Sequence, residues 1–165
     1  SLNLLSRGKT MAMIQSGWAT RQFNTASAGC AGVEVAQMFE IALPATALAA
    51  NDIIELGVLP AYNTVTDAIL VSADLDSGGS AAIAFDVGVM SGEVGDKVSV
   101  RTCGAELFAA SNVGQAGGVA RTTLASAFTI APTDKDRSIG VKITTAAATQ
   151  VAGAKLRLLL KYAAP

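Results

Sequence analysis

From residue 33 onward, apolar and polar positions alternate with a period of two. Val33, Val35, Phe39, Ile41 and Leu43 interleave with Glu34, Ala36, Met38, Glu40 and Ala42. Side chains of an extended chain point alternately to opposite faces, so this pattern predicts a strand with one covered face. Pro44 closes it, and the small residues ATALAAND connect onward through one helical turn. IIELGVL (53–59) is a shorter, more continuously apolar strand closed by Pro60. The period returns at Val65, Ile69, Val71, Ala73 and Leu75, then at Ile83, Phe85, Val87 and Val89. It appears again at Ile139, Val141 and Ile143, and at Leu156, Leu158, Leu160 and Tyr162. VSVRT (98–102) and ASAFTIA (125–131) read as further strands, GAELFAASN as a short helix or bulged strand, and VGQAGGVA (113–120) as a flexible loop.

The stretch DLDSGGSAAIAFDVGV (74–89) admits several readings. A three-residue loop Ser77-Gly78-Gly79 pairs Asp76 with Ser80 and sets Ala73 opposite Ile83 and Val71 opposite Phe85. The apolar faces then coincide, and a slip of one residue spoils the match. Gly79 supplies the positive φ such a loop needs. A calcium loop begun at Asp74 fails on spacing: Gly78 and Phe85 fall where a ligand and a bidentate glutamate are required. A looser surface site of Asp74, Asp76 and Ser80 is the remaining metal reading. Gly8-Lys9-Thr10 has the tail of a phosphate loop, but Asn3 stands where its first glycine belongs.

Some eight short strands separated by glycine and proline turns predict an all-β fold, an antiparallel jelly roll or β-sandwich, over residues 29–165. Residues 1–28 lack a clean period and read as an extended N-terminal arm with apolar anchors at Leu4, Leu5, Met13, Ile14 and Trp18. No internal repeat or interdomain linker is evident, and 165 residues suit one such domain. The start has no basic segment leading into an apolar one, and its serine is what removal of an initiator methionine exposes, so a cytosolic origin is expected.

Composition narrows the chemistry. Charged residues are 15% of the chain, against about 25% in an average protein. Aromatics are 5%, and much of the 51% hydrophobic content is alanine, which predicts a thin core and apolar surface hidden against neighbours. A net charge of −1 supplies no general attraction for nucleic acid or membrane, and no apolar run is long enough to span a bilayer. The chain has no histidine, which removes Ser-His and Cys-His nucleophile pairs and most zinc sites. Cys30 and Cys103 read as two buried free thiols. The pairs Asp74/Asp76 and Asp134/Asp136 sit in predicted turns, where aspartate caps backbone groups. No enzymatic activity and no cofactor are expected. Lys142, Lys155, Arg157 and Lys161 fall on the outer face of a last hairpin, which gains from an opposing acidic surface on a partner.

The stretches AIAFDVGVMSGEVGDKVS and DRSIGVKITTAAATQVAGAKLRLLLKY resemble the jelly-roll decoration, or cement, proteins of tailed-phage capsids, with that of a short-tailed Bordetella phage the nearest likeness. The likeness covers roughly residues 30 to 162 and rests on strand-and-loop texture and on the small-residue loop before the last strand. It implies a structural virion protein without catalytic residues, on the outer capsid surface and assembled in the host cytoplasm. Its implied partners are the major capsid protein, whose neighbouring subunits it bridges, and a second copy of itself. A tail, baseplate or fibre β-domain, or a soluble β-sandwich that binds a ligand, accounts for the same residues.

Overall fold

A computed structural model describes residues 11–27, 29–98 and 100–165. Nine strands form two sheets packed face to face, the all-β sandwich of jelly-roll type that the alternation predicts. The strands are β1 (Met13–Gln15), β2 (Glu34–Ala42), β3 (Ile53–Leu59), β4 (Thr64–Ser72), β5 (Ala84–Val89), β6 (Phe108–Ser111), β7 (Gly118–Arg121), β8 (Arg137–Thr145) and β9 (Lys155–Ala163). One sheet runs β1-β3-β8-β5-β6 and the other β2-β9-β4-β7. All neighbours are antiparallel except β1 and β3.

The core lies between the sheets and is built from every second residue of each strand. Ile54, Leu56, Phe85, Val87, Ile139 and Val141 face Phe39, Leu70, Leu156, Leu158, Leu160 and Tyr162. The core is leucine- and isoleucine-rich rather than thin. Among the described alanines only Ala19, Ala68 and Ala127 are fully covered. The β3 register shifts between Glu55 and Gly57, and a Cβ on Gly57 would lie 2.6 Å from the Phe39 ring. Glycine there lets the largest side chain of β2 reach the opposite sheet.

Each consecutive pair of strands except β5 and β6 sits in opposite sheets. That overturns the predicted hairpin at 74–89. β4 pairs with β9 and β7, and β5 pairs with β8 and β6, so the stretch between them crosses from one sheet to the other. β4 and β5 do meet across the core, but β4 does so through Ala68 and Leu70; after the register shift between Val65 and Asp67, Ile69 and Val71, expected on the covered face, pair with the outward Leu159 and Arg157. Asp76 anchors the crossing. Its buried carboxylate accepts N–H bonds from Gly78, Ala82 and Ile83 in its own loop, at 3.1, 2.7 and 3.2 Å. It also accepts from Ala148 and Thr149, in the β8–β9 crossing, at 2.9 and 2.8 Å. Chiefly the Thr149 N–H, with those of Ala82, Ala148 and Gly78, holds this carboxyl well below the usual range against the opposing effect of burial. Asp76 is thus a knot between two loops, and its oxygens face N–H donors rather than a cation.

Three other expectations change. The described residues of 98–102 lie outside any strand, and an isolated bridge joins the neighbouring Cys103 to Met90. Residues Ala125–Phe128 form a 3-10 turn, and residues 113–120, read as a loop, supply a 3-10 turn and β7. The described part of the expected arm joins the body. β1 extends the five-stranded sheet, and Trp18 packs edge-on to Phe39 at 5.5 Å between ring centroids.

The loop between β5 and β6 lies flat on the outer face of the five-stranded sheet. Gly88 and Gly140 pave the face beneath it. A Cβ on Gly140 would stand 2.6 Å from Met90, and one on Gly88 would collide with Glu106 and with the Gly104 backbone. Gly140→Leu should therefore lift the loop and destabilise the fold by about 1–3 kcal/mol, read as a lowered midpoint in chemical denaturation. A wild-type midpoint for this variant would mean the loop is not seated on the sheet.

Candidate functional site

The polar residues that the fold gathers most tightly lie under that loop. Glu55 of β3, in an otherwise apolar strand, is fully buried, and Arg101 reaches in from the loop with its side chain 1% exposed. Arg101 Nη1 meets Glu55 Oε1 at 2.8 Å and the Asp96 carbonyl at 2.7 Å. Its Nε donates to the Ser91 carbonyl at 2.7 Å, and Nη2 to Ser138 Oγ at 2.9 Å. Glu55 also accepts from the Gly95 N–H, Ser138 Oγ and Gln15 Nε2. Burial pushes the Glu55 carboxyl up, but the bonds from Gly95, Ser138, Gln15 and Arg101 outweigh it and hold the group below its ordinary range. A buried pair is tolerable when its polar atoms have partners, and here each side-chain nitrogen and oxygen of the pair has at least one. The cluster joins β1, β3, β8 and the loop in one network. Its role is positional: it pins a loop whose tip carries Val98 and Val100, 45% and 82% exposed.

Sequence reasoning missed this pair. The available signal was a lone glutamate inside IIELGVL and a lone arginine inside VSVRT, each out of place in an apolar run. A buried carboxylate demands a buried donor, and Arg101 lies too far along the chain for a period-two pattern to connect them.

The predicted basic face is divided. β8 and β9 are not a hairpin, because they lie in different sheets. Lys142 therefore projects from the five-stranded sheet, opposite Ile53 and Asp86. Lys155, Arg157 and Lys161 share the outer face of the four-stranded sheet, and the acid opposing the first two is in the same chain. Glu40 of β2 contacts Lys155 Nζ and Arg157 Nε, each at 2.6 Å. The Lys155 bond first, and then that of Arg157, lowers the Glu40 pKa. Lys161 stands opposite Asp67 of β4 and Ala36 of β2. Between these charges runs an apolar row, Met38–Leu159–Ile69, with Val71 and Val119 beside it. This mixed apolar and charged face is the candidate interaction surface.

Of the predicted arm anchors, Leu4 and Leu5 lie outside the described residues, as does Gly8-Lys9-Thr10. Ile14 and Trp18 pack against the core, and Met13 Sδ lies 4.0 Å from Arg101 Nη1. Asp136 is tied to Arg21 at 2.8 Å and accepts the Ala61 N–H, beside a polar cleft of about 320 Å³. Cys30 is exposed, contrary to expectation, whereas Cys103 is half-buried, and burial pushes its thiol up to about 12. Among the described residues no three His, Cys, Asp or Glu side chains gather as metal ligands, and no helix is long and apolar enough to cross a membrane.

No family model matches the chain, and no curated protein matches it. Solved structures do match. A chain in the capsid of Ralstonia phage GP4 is 50% identical, superposes with a TM-score of 0.90, and aligns over 93% of this chain and 99% of its own. A chain of the cyanophage Pam1 capsid asymmetric unit has a TM-score of 0.64 at 23% identity, covering 88% of this chain and 96% of that one. One from the acid-stable capsid of Helicobacter pylori bacteriophage KHP30 has 0.53 at 12%, covering 81% and 90%. The last two show the fold alone. The sandwich is thus one that phage shells use. At its identity and coverage with the Ralstonia phage chain, this chain belongs to the same family of phage capsid proteins. The Ralstonia phage neighbour supports a structural role in the virion.

Breaking the buried pair tests its positional role. Arg101→Ala should cost about 3–5 kcal/mol, because it strands a buried carboxylate. Glu55 is depressed, so its contribution is fully present above the unfolded value of about 4.3 and lost as pH falls through the lower folded value. Denaturation curves taken at falling pH should show Glu55→Gln with a shallower loss below pH 4 or so than wild type, with the slope from Asp76 remaining. Parallel wild-type and Glu55→Gln profiles would remove Glu55 from the acid response.

Proposed function

We propose that this protein is a capsid decoration, or cement, protein that binds the outside of a phage head and bridges neighbouring major capsid subunits. The carrying observation is a 50%-identical chain, aligned over nearly its whole length, in the capsid of Ralstonia phage GP4. Two features of this chain agree with the reading. The described residues form a small two-sheet sandwich, and its four-stranded sheet presents a mixed apolar and charged face. Many symmetric copies turn modest contacts into large avidity. A protein that binds only the expanded shell stabilises that state by linkage. Two copies act together, and the chain joins the particle during assembly in the host cytoplasm.

Mass spectrometry of sedimented particles tests the location. The expected result is a copy number in a fixed, near-stoichiometric ratio to the major shell subunit. A few copies per particle would favour a tail or baseplate β-domain instead, and absence from particles would leave a soluble ligand-binding sandwich. The binding face has its own test. Lys161→Gln with Arg121→Gln, the latter on β7 opposite Ile69 of the same face, changes exposed or half-exposed side chains and should leave stability within about 0.5 kcal/mol. Attachment to undecorated heads should weaken and lose salt dependence; unchanged attachment would move the contact elsewhere. Removal of residues 1–10, which carry Leu4 and Leu5 but spare β1, should likewise reduce attachment without changing the unfolding midpoint. Full attachment by that truncated chain would take the arm out of the interface.

A further inference from the structure

The two sheets have four edges, and three are short. β1 has three residues, and β6 and β7 have four each. β6 also breaks its register with β5, and its Ala110 N–H is taken by Asp86 Oδ1 at 2.7 Å. β2 is different: nine residues in unbroken register with β9, from Glu34 opposite Ala163 to Ala42 opposite Lys155. It carries no proline, lysine or bulge, and its two charges are engaged within the chain, Glu40 with Lys155 and Arg157 and Glu34 with the Thr66 hydroxyl.

The direction of its free groups follows from the ladder. Leu43 N donates to the Ala154 carbonyl, so the odd-numbered residues of β2 turn their backbone groups toward β9. Those of Glu34, Ala36, Met38, Glu40 and Ala42 turn outward. Among the described residues, the only hydrogen bond on that side is a 3.3 Å contact from Gln37 Nε2 to the Met38 carbonyl. The segment preceding β2 reaches it through the Gln37 side chain, which accepts the Ala26 N–H, and leaves the edge backbone open.

We infer that this edge joins two copies of the chain, β2 to β2, antiparallel about a two-fold axis at Met38. The register is chosen by charge. With Met38 on the axis, Ala36 faces Glu40 of the second copy and Glu34 faces Ala42, so no acid meets an acid. One shift sets Glu34 against Glu40, and the opposite shift brings Pro44 against Glu34. Glu40 is already neutralised by Lys155 and Arg157, and Met38, 39% exposed, meets its own copy at the centre. All five outward residues then exchange bonds, about ten across the junction. The axis stands perpendicular to the sheet, so the outer faces of both four-stranded sheets lie on the same side. One eight-stranded surface results, with two copies of the Met38–Leu159–Ile69 row. This gives a geometry to the two-copy unit of the decoration reading and rests on that reading only for its place on a shell.

The test uses the full chain in solution, without particles. Sedimentation should give twice the 16.6 kDa chain mass for wild type. Met38→Pro should give the single mass with an unchanged circular dichroism spectrum, since its N–H makes no bond within the chain and proline is tolerated on an edge facing away. If that variant fails to fold, Met38→Cys decides. A hydrogen-bonded antiparallel pair holds its Cα atoms about 5.5 Å apart, within disulfide reach. In a Cys30→Ser background, Met38→Cys should cross-link on oxidation and Ala36→Cys alone should not, whereas Ala36→Cys mixed with Glu40→Cys should. A wild-type monomer at every concentration, a dimer that survives Met38→Pro, or equal cross-linking at 36 alone and 38 overturns the inference. A dimer that fails to bind heads would instead count against decoration and leave this contact standing.

Discussion

The constraint behind this structure is that the chain must supply two sheets with apolar faces while changing sheet at almost every connection. Each sheet can bury only one face, so each crossing loop has to leave one layer and enter the other with the correct side chains inward. The loops therefore carry the specificity that turns supply in a hairpin protein. Asp76 shows how. One carboxylate gathers N–H groups from the β4–β5 and β8–β9 crossings and closes that region of the sandwich. Glu55 and Arg101 serve a related purpose on the outside, holding the long β5–β6 loop against a glycine-paved sheet. Both are acids whose protonation would release backbone or guanidinium donors into a buried setting, so acid weakens the same loops that hold the layers in place.

This explains how far the fold was legible. Period-two alternation reports that one face of a strand is covered, and β2, β3, β4, β5, β8 and β9 fall close to where it predicts them. It does not report what covers the face. A hairpin and a crossing between sheets both bring the apolar sides of two strands together, so alternation alone cannot tell them apart. The Ser77-Gly78-Gly79 loop read as a hairpin turn for that reason. Residues 98–102 failed differently. VSVRT has strand composition, but Arg101 turned toward Glu55 and took the backbone with it, a tertiary contact overriding local preference. β7 was hidden because GVAR has almost no strand signal, and it owes its existence to the edge of β4.

The candidate site was legible in its residues but not in its arrangement. Lys155, Arg157 and Lys161 share one outward face, but the acidic surface expected for them lay on a partner, whereas for the first two an acid is already present in the chain. That acid is Glu40 on the neighbouring strand, so the chain satisfies part of the charge itself. Lys142 was assigned to the same face because β8 and β9 were taken as a hairpin. The change of sheet between them, through the loop that Asp76 holds, moves it to the other side of the sandwich.

A sheet edge and a sheet face make different demands on a partner. A face of half-exposed aliphatic rows and paired charges yields little attachment per copy, because surface ion pairs contribute about 0–1 kcal/mol each and the apolar area is modest. An open nine-residue edge offers directional hydrogen bonds that any extended chain could take, and leaving it open invites aggregation. Joining two copies along that edge resolves both problems. It consumes the free backbone groups and doubles the face without adding a residue, so weak contacts to a repeating surface act together, with the second contact made at high effective concentration. It also gives the pairing of Glu40 with Lys155 and Arg157 a purpose, since the neutralised acid sits next to the axis, where two acids would otherwise come closest.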